Sequence, residues 1–185
     1  IPIGSGSSFF GTFNGNGHTV SGIYINGTGN VQGLFGFFNT GLIMNVGVIA
    51  GYIKGGADVG AIVGNVSNGI IENCFNSATV TGTLQIGGIA GVIYSSGLIN
   101  RCYNLGIISA EGNIGGIVGK MTSGGSGTVL NCYNTGSISG YAQIGGIIGT
   151  GTCSVSDCYN TGKITGTGDY NEGGIAGSIG NNSGS

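Results

Sequence analysis

IGGIAGVIYSSGLINRCYNLGIISAEGN, residues 86–113, and IGGIVGKMTSGGSGTVLNCYNTGSISGYAQ, residues 114–143, are two copies of one unit. The opening hexapeptide recurs as VQGLFG at Val31, VGAIVG at Val59, IGGIIG at Ile144 and EGGIAG at Glu172. The starts at 31, 59, 86, 114, 144 and 172 are 27 to 30 residues apart. A second motif falls mid-unit, as IENCFN, INRCYN, VLNCYN and VSDCYN, and carries Cys74, Cys102, Cys132 and Cys158. A third follows it, as TVTG, IISA, SISG and KITG, centred on Val80, Ile108, Ile138 and Ile164. Self-similarity at a fixed period marks a repeat architecture.

Each unit holds three apolar segments of about four to six residues, punctuated by Gly, Asn, Ser or Thr, which is the pattern of strands and turns. So small a unit cannot bury its own apolar face, but stacked units can. The expectation is an all-β fold: a β-solenoid, a right-handed parallel β-helix of roughly triangular section, with one repeat per turn and about six turns. Strand spacing sets a rise of about 4.8 Å per turn and a rod roughly 30 Å long. Residues 31–179 form the repeats and 180–185 a tail. The first full unit departs from the rest, with Val46 in the Cys position and one extra residue before Ile53.

Composition agrees. Gly fills 45 of 185 positions, yet one Pro and the lack of a Gly-X-Y period exclude collagen. Charged residues at 5% are too few for a disordered chain or for amphipathic helices. The Gly excess suits corners needing positive φ, with Gly106, Gly136 and Gly162 at one corner, while pairs such as Gly87-Gly88 read as lying inside a strand. FFGTFNGNGHTVSGIYING, from Phe9, reads as strand, turn and strand, and six of the seven Phe fall in the first 38 residues. Residues 9–30 are therefore read as a capping turn with an aromatic plug. Residues 1–8 are read as a flexible arm on which Ile1, Pro2 and Ile3 could add a strand to another subunit.

The repeated core, GLFG at Gly33 and GGIVG at Gly115, with the NCYNTG segment and the opening GTFNGNGHTVSGIYING, resembles the GLUG-repeat family from about Phe9 to Gly177. The resemblance implies a secreted or cell-surface bacterial protein, such as a large adhesin or a surface-anchored stalk. It carries over no catalytic residue. Such repeats usually sit in much longer chains.

Stacking would place Cys74, Cys102, Cys132 and Cys158 in one file, read as small buried apolar residues rather than a metal or redox site. Val46 in the same position makes Cys-to-Val replacement look neutral. Cys153 lies five residues before Cys158, and a bridge between them is one possibility. Asn76, Asn104, Asn134 and Asn160 form a file expected to bond amide to amide. Phe75, Tyr103, Tyr133 and Tyr159 are expected to point outward. They would serve stacking within the sheet or contact with a neighbouring subunit, and after those, sugar binding.

Asp58, Glu72, Glu111, Asp157, Asp169 and Glu172 sit at different phases of the repeat, and the lone His18 lacks a partner at catalytic spacing. No enzyme, metal or cofactor is expected. A net charge of −2 offers no basic patch for nucleic acid, and no apolar run is long enough to insert in a membrane. Sequons begin at Asn26, Asn65 and Asn181. The functions left are an adhesin stalk or a head-to-tail filament of the chain with itself, then a module binding surface glycans. Ice binding ranks lower, since only Thr79 and Thr81 make a Thr-x-Thr pair and Lys163 interrupts that face.

Overall fold

The computed structural model describes residues 1–122, 127–168 and 171–179. Among them there is no helix, and every strand pairing is parallel. The chain winds as a β-solenoid of about six turns. One turn shows the plan. Strands run over Leu84–Gly87, Ala90–Ile93, Leu98–Asn100 and Tyr103–Asn104, and then over Ile108–Gly115, which bends into the next turn. Each turn thus has more strands than the three segments marked by apolar pattern. The Tyr103–Asn104 strand escapes that pattern because its inward residue is polar.

Register is like over like. Ile86 pairs with Val59 on one side and Ile114 on the other. Ile99 lies between Ile71 and Val129, and Ile108 between Val80 and Ile138. These residues close a dry lumen in which Ile71, Val80, Ile86, Ile99, Ile108 and Ile114 have no exposed surface. A buried aliphatic side chain contributes roughly 1.5–3 kcal/mol, so repeated rungs accumulate stability along the axis. Cys158 and Ile164 are only partly buried, because they belong to the last described turn and are covered from one side. The extra residue of the first unit is absorbed at Ala50, with φ of 48°, and Ile53 still pairs with Val80.

The first turn is the strand Phe9–Ser21, laid parallel on Phe35–Ile49, with a register shift between Asn14 and His18 where a turn was expected. Phe9 and Phe13 pack on Phe35 at ring-centroid distances of 5.1 and 5.2 Å, which closes the lumen with aromatics. The arm is a correction. Ile3 is not on a free tether: its N–H donates to Leu34 O at 3.0 Å, and its carbonyl accepts from Gly36 N at 2.7 Å. An apolar residue beside an open strand edge finds its own first turn before any other chain.

Glycine also acts differently from expectation. Gly106, Gly136 and Gly162 are not among the positive-φ residues. A Cβ built on them would meet the carbonyl oxygen of the turn below, 2.0 Å away for Gly136 against Gly106 O. They are glycines because backbone stacks on backbone there. Gly87-Gly88 marks a corner between strands, not a strand interior. A Cβ on Gly88 would lie 2.5 Å from Asn104 Cγ, so this glycine makes room for the buried amide. The left-handed corners carry other residues. One file is Asn45, Asn73, Arg101, Asn131 and Asp157, with φ of 51–56°. Another is Val31, Asp58, Gln85, Asn113 and Gln143, with φ of 47–59°. Asn and Asp tolerate this region better than other side chains.

Gly136→Ala should lower stability by about 1–3 kcal/mol, the usual cost of overpacking. Gly6→Ala, where a Cβ meets nothing within 4 Å, should change it by less than about 0.5 kcal/mol. Chemical denaturation of both variants checks the contrast.

Candidate functional site

Three files of side chains converge on one edge of the solenoid, in the segment from the Cys to the aromatic and the Asn. Each inward Asn is fully buried at Asn76, Asn104 and Asn134. Asn104 shows how such a group survives in an apolar lumen. Its Nδ2 donates to Asn134 Oδ1 at 2.7 Å and to Gly106 O at 2.9 Å. Its Oδ1 accepts from Asn76 Nδ2 at 2.8 Å and from Gly106 N at 3.2 Å. A terminal amide has two donors and two acceptor sites, and here all four are used. Asn134 Nδ2 continues the chain to Asn160 Oδ1 at 2.7 Å. At Asn104 the whole hydrogen-bonding capacity of the amide is spent inside the protein.

The Cys file is likewise closed. Cys102 Sγ donates to Asn100 O at 3.3 Å and accepts from Cys74 N at 3.4 Å. The relation repeats from Cys102 N to Cys132 Sγ and from Cys132 N to Cys158 Sγ, each at 3.4 Å. The thiols therefore do more than fill space, and Val in their place would leave buried amides short of an acceptor. Burial holds the Cys102 thiol well above its usual range. All five cysteines are free. The Cys153–Cys158 bridge, held open as one possibility, is not formed; Cys158 Sγ donates instead to Ser156 O of its own turn at 3.1 Å.

The aromatic file points outward and stacks. Phe75, Tyr103, Tyr133 and Tyr159 have ring centroids 5.0, 4.9 and 5.1 Å apart, with planes within 5° of parallel. A continuous stack presents ring edges to the side and covers both faces of its inner rings, Tyr103 and Tyr133. Next to it, Leu105 and Ile107 are exposed, so the Val80/Ile108/Ile138/Ile164 strand has a mixed outer surface.

The titratable groups stay scattered. Among the described residues no three of His, Cys, Asp and Glu gather as a metal site, and Asp169 falls outside them. Glu72 meets Arg101 at 3.4 Å on the surface, a pair worth little. Asp58 stands apart: burial pushes its carboxyl above the ordinary range, although Asn65 Nδ2 donates to Oδ2 at 3.3 Å. That bond also bears on the sequons. Asn65 is 9% exposed with its amide engaged, so it cannot serve as an acceptor in the folded chain. Asn26 is exposed, and Asn181 lies outside the described residues.

The left-handed Asn corners, the thiol–amide bonds and the Asp58–Asn65 contact escape a reading of the repeat alone. The first had a signal, since Asn or Asp precedes the Cys in three of the four Cys units.

The model of the GLUG motif matches residues 55–81 and 140–165, each spanning one turn from the hexapeptide corner to the third motif. Those two turns match the GLUG motif. The curated relatives are much longer. Halomucin of Haloquadratum walsbyi is 40% identical over 86 residues, which is 45% of this chain and 1% of Halomucin. A protein of Evansella cellulosilytica, provisionally described as a Gly-rich membrane protein, is 42% identical over 78 residues, 39% of this chain and 9% of that protein. Neither is named as an enzyme. Among solved structures, a Bacteroides ovatus chain provisionally described as an immunoglobulin A1 protease superposes with a TM-score of 0.64. It is 25% identical, and the match covers 86% of this chain and 58% of that one. What the chain shares with the two relatives is sequence over fewer than half of its residues, and with the solved structure it shares the winding.

Two predictions follow from the buried polar groups. Asn104→Ala strands several hydrogen-bonding partners at once and should cost about 3–5 kcal/mol, whereas Asn26→Ala should stay within about 0.5 kcal/mol by denaturant titration. Asp58 has a raised folded-state pKa, so its charged form opposes folding: its contribution is most favourable at acid pH and is lost as pH rises through that pKa. Asp58→Asn keeps the hydrogen-bond geometry without the charge. It should melt higher than the parent at neutral pH and lose that advantage near pH 4, as thermal scans across pH would record.

Proposed function

We propose that this chain is a segment of a structural β-solenoid stalk displayed at a cell surface. The single observation that carries the reading is the closure of the ladders. The Asn, Cys and aliphatic files use their polar and apolar groups on one another from turn to turn, which makes a stiff rod rather than a reaction site. Relatives named as a mucin and a membrane protein support the surface setting. The small share of those proteins that the match covers supports a part in a long repetitive chain.

An adhesin stalk is favoured over a self-assembling filament, because Ile3, one of the three residues expected to bridge subunits, is bonded to its own first turn. Broad glycan binding along the aromatic row is less well supported, since stacked rings offer edges. Ice binding is disfavoured by exposed Ile107 on the face that would need regular Thr rows.

Sedimentation and negative-stain microscopy test the reading. Concentrated chain should remain as short single rods, about 4.8 Å long per turn. Open fibres growing with concentration would overturn the stalk in favour of a filament.

A further inference from the structure

The aromatic stack has an open end. Tyr103 and Tyr133 are covered on both faces by neighbouring rings. Phe75 is covered by Tyr103 on one side only, because the residue paired with it in the preceding turn is Gly47. The Phe75 ring leans over that glycine: a Cβ built on Gly47 would lie 2.3 Å from Phe75 Cε1. Beside the ring is a cavity of about 170 Å³ lined by Gly17, Asn45, Val46, Gly47, Asn73 and Phe75. Two glycines, Gly17 and Gly47, add no side chain to its lining, and one aromatic ring forms a wall.

The polar part of the rim is preset. Asn45 and Asn73 hold left-handed corners, with φ of 56° and 51°. Asn73 Nδ2 donates to Asn45 Oδ1 at 3.2 Å, and Asn45 Nδ2 donates to Asn14 Oδ1 at 3.0 Å. These bonds orient both amide planes and use only part of the four capacities that each amide carries.

We propose that this cavity binds a neutral pyranose sugar, with the apolar C–H face of the sugar ring on Phe75 and its hydroxyls on the Asn45 and Asn73 amides. The pairing of surfaces favours this class. One aromatic wall suits a ligand with one apolar face, and amides donate and accept as hydroxyls do. No charged side chain lines the cavity, so an anionic sugar or a nucleotide would find no counter-charge. The site goes beyond the stalk reading, because it gives one turn of the rod a specific contact.

The test is a titration of the intact chain with methyl glucoside, methyl galactoside and their neutral disaccharides, with glucuronate and N-acetyltyrosine amide as competing classes. NMR follows the Phe75 ring and the side-chain amides of Asn45 and Asn73. Saturable shifts at all three with a neutral sugar are expected. Phe75→Leu should weaken that binding about tenfold, and Tyr159→Leu, at the far end of the stack, should leave it unchanged. Asn73→Gly keeps the positive φ, removes the amide and should also weaken binding, which covers the case in which Phe75→Leu does not fold. Three results would overturn the proposal: no shift with any neutral sugar up to its solubility, shifts with glucuronate or N-acetyltyrosine amide alone, or undiminished affinity in Asn73→Gly.

Discussion

A buried asparagine in an apolar lumen tolerates no slippage. Moved by one residue, Asn104 would face out and an aromatic would face in, because side chains alternate along a strand. Moved by two, its amide would lose Asn76 and Asn134, and unpaired polar groups would remain in a dry interior. Ile and Val can exchange places in a core at modest cost, so the aliphatic files alone would set the register less strictly than the amides do. The amide ladder sets it. Much of the rest depends on that ladder: glycines at 88, 116 and 146 make room for the amides, and Gly106, Gly136 and Gly162 let the adjoining backbone stack closely.

The same constraint accounts for the surface. With the Asn pointing in, the preceding residue points out and repeats at the spacing of the turns, which forces four aromatic rings into one column. The column ends where the repeat departs from pattern, at Gly47. Val46 and Val48 stand there in place of Cys and Asn, so the ring, thiol and amide files all stop at the same turn. The cavity beside Phe75 arises from that departure.

Much of this was legible in the sequence. The recurrence of the hexapeptide and of NCYN yields the period and the identity of each file, because stacking converts a repeat in sequence into a column in space. What stayed hidden depends on backbone geometry within a turn. The corners at Asn73, Arg101 and Asn131 adopt positive φ without glycine, while Gly106 and Gly136 are glycine without positive φ. Composition sees only that glycine is abundant and cannot separate a steric reason from a torsional one. The thiol–amide bonds were hidden because Val46 in the same column made the position look purely apolar. Ile3 lies outside the repeat period, and a segment there carries no signal in the sequence of where it docks.

Exchange of the side-chain amide protons is the most direct measure of whether the ladder sets the register. If Asn76, Asn104 and Asn134 are bonded in a continuous buried file, their Nδ2 protons should exchange as slowly as the backbone amides of Ile108 and Ile138, through the global unfolding route. Exchange at the rate of the exposed Asn26 side chain, in a chain that is otherwise folded, would contradict the account.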